Sequence, residues 1–146
     1  MKGRQNEILI ATDGSASSIH AVQQTIVRAA WLKDVPQIFL INVQWQLASG
    51  NVKLFISQEA INDHYREQGM AELAAAREKL DAAQLSYTYH ISLGTPAEAI
   101  TQYANEQQVD QITMGTFGQS ALSTLLLGSE VTKVLHLTDI PVLLVK

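Results

Sequence analysis

Two loops of this 146-residue chain concentrate the residues with chemical potential. The first reads Thr12-Asp13-Gly14-Ser15-Ala16-Ser17-Ser18. The second reads Gly115-Thr116-Phe117-Gly118 and runs through Gln119 to Leu127 into Gly128-Ser129. Glycine lets backbone N–H groups approach an anion with no Cβ in the way. Gly115, Gly118 and Gly128 therefore bracket one rim on which a phosphate can rest, and the Ser129 hydroxyl adds a donor. At the start of a helix, free N–H groups and the positive dipole end favour the same ligand. Competing motifs are missing: the chain has no Gly-Lys-Ser/Thr of a P-loop and no G-x-G-x-x-G of a dinucleotide site. A phosphoacceptor site needs clustered acids at strand ends, and only Asp13 is placed that way. Taken alone, Asp13-Gly14-Ser15 reads as a turn and N-cap entering a helix. Ser17 and Ser18 have no base nearby in sequence and read as helix-start serines. His20, His64, His90 and His136 lie on separate segments without metal-ligand spacing. The absence of cysteine removes thiol nucleophiles, thiolate metal sites and disulfides together.

The elements that must carry these loops alternate. Glu7–Thr12 is a short apolar run, predicted as a buried strand. From Ser15 to Lys33, Ile19, Val22, Ile26 and Ala30 recur at helical steps, and Asp34, Val35 and Pro36 break the pattern. Gln37–Val43 is a second buried strand. Trp45 to Phe55 is irregular, and its two aromatic ends either cover the site or pack elsewhere. Ser57 caps a long helix reaching about Gln84. Ser86–Leu93 alternates and is rich in β-formers, which predicts a strand nearer an edge. Thr95-Pro96-Ala97-Glu98 predicts a capping box, with Thr95 as N-cap and Glu98 reaching back, on a helix that buries Ile100, Tyr103 and Ala104. Gln111–Met114 is a fourth strand, a last helix runs to Leu137, and Pro141–Val145 is a fifth strand. Such alternation predicts an α/β fold: a doubly wound, mostly parallel, Rossmann-like sheet with helices on both faces and ligands beyond the strands' carboxyl ends.

Gly115-x2-Gly118-x9-Gly128-Ser129 resembles the nucleotide-binding signature of the universal stress protein family. The likeness runs along the chain: ILIATDGS (Ile8–Ser15), LINV (Leu40–Val43), GTPAEAI (Gly94–Ile100), MGTFG (Met114–Gly118), LLLGS (Leu125–Ser129) and PVLLV (Pro141–Val145). The resemblance implies a single five-stranded domain with strand order 3-2-1-4-5. It also implies an ATP site. Asp13 would lie near ribose and phosphates with Thr12 and Ala11 beside it, and Val43 would offer backbone groups to adenine. Gly115 and Gly118 would line the ribose and α-phosphate, and Met114 belongs to the same nucleotide site. Gly128 and Ser129, with the N–H groups of Glu130 and Val131, would hold the outer phosphates. Any Mg would be carried mostly by phosphate oxygens and water. Phe117 stands where the family often places a basic residue, and Glu130 follows the glycine-serine pair. A carboxylate there would repel a triphosphate if it points at it. The resemblance further implies a homodimer about Pro141 to Val145.

Composition sets the remaining bounds. The chain has 10 Lys and Arg against 14 Asp and Glu, for a formal charge of -4. Lacking a dense basic stripe, it is not expected to bind nucleic acid. No stretch approaches the roughly 20 apolar residues of a membrane span, and the polar Met1–Glu7 segment precedes too short an apolar run for a signal peptide. A cytoplasmic location follows as the expectation. Efficient phosphoryl transfer needs positive charge on the leaving phosphates, and neither loop contains Lys or Arg. Taken with the family resemblance, which implies the stress role, this makes the expected function a nucleotide-dependent regulatory module of the stress response rather than a dedicated enzyme. The alternatives are an ATP-independent dimer acting through protein contacts and, third, a slow ATP hydrolase.

Overall fold

Runs such as Ile8-Leu9-Ile10 and Ile38 to Ile41 have no polar side to give to water, so both faces of the strands they form must be covered. The computed structural model describes residues 5–45, 57–116 and 127–146. Its elements are β1 (Glu7–Ala11), α1 (Ala16–Ala29), β2 (Gln37–Gln44), α2 (Gln58–Ala82), β3 (Tyr87–Leu93), α3 (Pro96–Gln107), β4 (Gln111–Gly115), α4 (Ser129–Leu137) and β5 (Val142–Val145). The strands form one parallel sheet in the order β3-β2-β1-β4-β5. This is the doubly wound order expected above.

The period of two along each strand divides the core between the faces. Ile8, Ile10, Ile38 and Leu40 pack with Val22 of α1 and with Leu73, Ala76 and Leu80 of α2. Leu9, Phe39, Ile41, Ile112 and Met114 pack with Ala97, Ile100 and Ala104 of α3 and with Val131 and Val134 of α4. The reversal falls between β1 and β4. The chain leaves β1 toward one face and approaches α4 on the other, which opens a crevice at the strands' carboxyl ends.

Several boundaries differ from the sequence expectation for local reasons. Helix α1 stops at Ala29 rather than Lys33, because Trp31 N–H and Leu32 N–H donate to the carbonyls of Arg28 and Ala29 and tighten the last turn. Strand β5 begins at Val142. Pro141 has no N–H to donate, though its carbonyl accepts from Ile112 N–H at 2.9 Å. Ser57 caps α2 as expected, its hydroxyl accepting from Ala60 N–H at 3.1 Å. Thr95 is the N-cap residue of α3 but makes no side-chain cap bond, so the predicted capping box is not formed. Beyond β4, Thr116 N–H donates to the Val145 carbonyl at 3.1 Å, and Gly128 N–H donates to the Thr116 carbonyl at 2.8 Å.

One glycine is demanded by packing. A Cβ on Gly115 would sit 2.6 Å from the backbone carbonyl carbon of Ser17 and 2.7 Å from its oxygen. The first turn of α1 therefore rests directly on the end of β4. Backbone cannot swing aside as a flexible side chain can. Gly115→Ala should destabilise the fold by about 1–3 kcal/mol, read as a lowered urea midpoint with unchanged m-value. Wild-type stability in that variant would show that α1 does not seat here.

Candidate functional site

The crevice holds a cavity of about 320 Å³. It gathers Ala11, Thr12 and Asp13 from the end of β1, Val43 from β2, Met114 and Gly115 from β4, and Gly128, Ser129, Glu130 and Val131 from the start of α4. These residues are up to 120 positions apart in the chain, and the sheet order alone brings them together. Gly118 and Phe117 lie outside the described residues, as does Phe55. Trp45 is half-exposed and lines the cavity.

The lining is divided. Ile41, Val43, Pro96, Ile100 and Met114 give an apolar side continuous with the α3–α4 core. Thr12, Asp13, Ser18 and Glu72 give a polar side. On this polar side the β1–α1 loop is held by its own hydrogen bonds. Asp13 Oδ1 accepts from Ser15 N–H at 2.9 Å, which is an Asx turn. Ser15 caps α1, its hydroxyl accepting from Ser18 N–H at 3.2 Å. The buried hydroxyls of Thr12 and Ser18 meet at 2.9 Å, and Ser18 donates to the Ser15 carbonyl. The turn-and-cap reading of this loop is thus real, and it positions the loop at the cavity. Gly14 bends it with φ +82, where a Cβ would meet the Glu72 backbone at 3.2 Å.

Glu72 was not singled out from the sequence. It reaches the cavity from α2, and two amides of β2 hold it there. Asn42 Nδ2 donates to the Thr12 carbonyl at 3.0 Å and to Glu72 Oε2 at 3.2 Å. Gln44 Nε2 donates to Asn42 Oδ1 at 2.7 Å and also to Glu72 Oε2. Asn42 is wholly buried. The signal was present in QIFLINVQ: two amides two residues apart share one face of an otherwise apolar strand, so that face must meet a polar partner.

At the far end Gly128 precedes α4 and has no side chain to cap it, so the first-turn N–H groups of Ser129, Glu130 and Val131 stand at the cavity. The Glu130 carboxylate has protein partners of its own. Its Oε2 accepts from Ala97 N–H at 2.9 Å, and its Oε1 receives Lys133 Nζ at 3.3 Å. Because Pro96 has no N–H, Ala97 carries the first donor of α3, and the carboxylate of α4 takes the place of the missing Thr95 cap. Asp13, Glu72 and Glu130 give the lining three carboxylates, and the described lining contains no Lys or Arg.

Residues 6–146 match the profile of the universal stress protein family. The chain is 29% identical over 144 residues to universal stress protein MJ0531 of Methanocaldococcus jannaschii, covering 96% of this chain and 81% of that one. It is 26% identical over 146 residues to universal stress protein YxiE of Bacillus subtilis, covering 97% and 99%. Among solved structures, that of the hypothetical protein MJ0577 superimposes with a TM-score of 0.82 at 25% identity, covering 97% of this chain and 95% of that one. A match running from just before β1 to the last residue, on the same strand order, means that this chain belongs to the universal stress protein family.

Proposed function

We propose that the chain is a regulatory module of the cytoplasmic stress response that binds an adenine nucleotide, ATP foremost, in the crevice between β1 and β4. One observation carries this reading: residues from four separate segments converge on one cavity with an apolar side, a polar side and an uncapped helix start. That division suits a nucleotide. A base takes the apolar side, a sugar the polar side, and phosphate the first turn of α4. Proteins of this fold give the reading further support. A universal stress protein has been solved with cAMP, an Arabidopsis thaliana relative with AMP and an Archaeoglobus fulgidus relative with dAMP. Ala11, Thr12, Asp13, Val43, Met114, Gly115, Gly128, Ser129, Glu130 and Val131 form this proposed site, and Gly118 belongs to it by motif.

The electrostatics shape the proposal. With three carboxylates and no cationic side chain in the described lining, the outer phosphates depend on backbone dipoles and on a cation of their own. No group of three His, Cys, Asp or Glu that would hold a metal exists among the described residues. Mg would therefore enter on the phosphates, keeping its water. The same lack of positive charge favours regulation over phosphoryl transfer. The proposal includes a homodimer about Pro141–Val145, since among the described strands β5 lies at an edge and pairs with β4 alone.

Four measurements test this. Acid precipitation of freshly purified protein should release adenine nucleotide into the supernatant. Calorimetry should show Mg-ATP binding about ten-fold tighter than ATP in chelator, since removing the cation sets uncompensated phosphate charge against the acidic lining. Absence of both signals sinks the nucleotide reading. Glu130→Gln removes one of those negative charges yet keeps an acceptor for Ala97 N–H. It should raise ATP affinity roughly three-fold or more, and unchanged affinity would place the carboxylate too far away to matter. Sedimentation should give twice the chain mass, and a monomer at micromolar concentration would remove the dimer.

A further inference from the structure

Glu72 is not part of the glycine-serine signature, yet its carboxylate lines the cavity beside Thr12 and Asp13. Its hydrogen-bond partners fix both its place and its polarity. The Asn42 amide donates one proton to the Thr12 carbonyl and one to Glu72 Oε2, and the Gln44 amide donates one to Asn42 Oδ1 and one to the same Oε2. All four amide protons are thereby used, and each amide points a donor at Glu72. Only an acceptor satisfies such a pair. A carboxylate accepts about four hydrogen bonds and donates none. The chain has in effect fixed an acceptor-only group on the polar side of the cavity, one hydrogen-bonded step from the end of β1.

Resting on the nucleotide reading above, we infer that Glu72, oriented by Asn42 and Gln44, recognises the ribose by accepting a hydrogen bond from its 2′-hydroxyl. The division of the lining gives the reason. Phosphate belongs to the first turn of α4, at the β4 side, and the base to the apolar side made by Ile41, Val43 and Met114. The sugar joins the two and is the part of the ligand that carries hydroxyl donors. It therefore faces the polar side, where Thr12, Asp13 and Glu72 stand. A hydroxyl bonded to a carboxylate forms a charge-assisted bond, roughly twice as strong as a neutral one. Its loss leaves a desolvated acceptor unmatched. The site should thus select ribonucleotides over 2′-deoxyribonucleotides and exclude a 2′-phosphate through like charge. Asn42 and Gln44 are positioning residues in this scheme.

The test is a set of affinities by calorimetry for Mg-ATP, Mg-2′-deoxy-ATP and Mg-ITP, in the wild type, Glu72→Gln and Glu72→Ala. The wild type should bind ATP roughly ten-fold or more tightly over the deoxy form, the scale of one charge-assisted hydrogen bond. In Glu72→Gln the amides of Asn42 and Gln44 hold the new carbonyl oxygen, so the ratio should fall several-fold. In Glu72→Ala it should approach one, with deoxy-ATP affinity not lowered, since the lining also loses one negative charge. A wild-type ratio near one overturns the inference without need of any variant. So does a ratio that survives in Glu72→Ala, or a variant that loses discrimination between ATP and ITP instead, since the carboxylate would then read the base. If the wild type binds neither ATP nor its deoxy form, the nucleotide reading itself has failed and this inference falls with it. A general loss of folding would weaken both ligands alike and leave their ratio intact, which counts against the proposal.

Discussion

The reversal of winding beside β1 is the constraint from which the rest of this structure follows. A strand with Ile8, Leu9 and Ile10 in sequence must be buried on both sides, so it takes the centre of the sheet. Right-handed crossovers then send α1 and α2 to one face and α3 and α4 to the other. The starts of α1 and α4 diverge to opposite faces of the sheet for that reason alone. The cavity is the space their divergence leaves, and it required no residue chosen for binding in order to exist. What the residues decide is its character: apolar toward α3, acidic and hydroxylic toward α1 and α2, and uncapped where α4 begins.

Two contacts at the crevice show how polar groups of one element are satisfied by carboxylates of another. The amides of β2 converge on a carboxylate of α2, and a carboxylate of α4 terminates α3. Each is a long-range answer to a local shortage. Buried Asn42 needs an acceptor that its apolar strand cannot supply, and Ala97 N–H needs one because Pro96 and Thr95 leave it none. Both carboxylates come to the cavity as a by-product. The acidity of the described lining is therefore partly structural in origin. The ion pair of Glu130 with Lys133 lies near the surface and offsets little of it.

Sequence reasoning read the strands and their order of appearance well because apolar runs bounded by turn residues have few other meanings. The loop residues were equally legible, since glycines near Asp13 and Ser129 serve turns and anions by the same property. Spatial order came from family resemblance, because periodicity reports which face is buried and not which strand is next. Glu72 was hidden for a physical reason. It sits in a helix rich in charged residues, and from sequence its carboxylate is indistinguishable from those of Glu67 or Glu78 on the solvated face. Only its packing against β2 separates them. The capping box at Thr95 failed in the same way: a correct local pattern lost to a donor-acceptor pair 33 residues apart. Gly115 was read as an anion-cradling residue, and the structure adds a steric duty, the seating of α1.

Thr116 ties the inner and outer parts of the molecule together. Its N–H holds the last residue of β5 and its carbonyl holds Gly128, where α4 begins. One residue thus serves as a splice between the crevice lip and the edge strand β5. Displacing the helix start by a fraction of an ångström must strain or tilt that splice, and the strand's end shares the load. Conversely, whatever grips the outer strand stiffens the lip. Load on the helix start and load on the outer strand therefore pass through the same two hydrogen bonds in series.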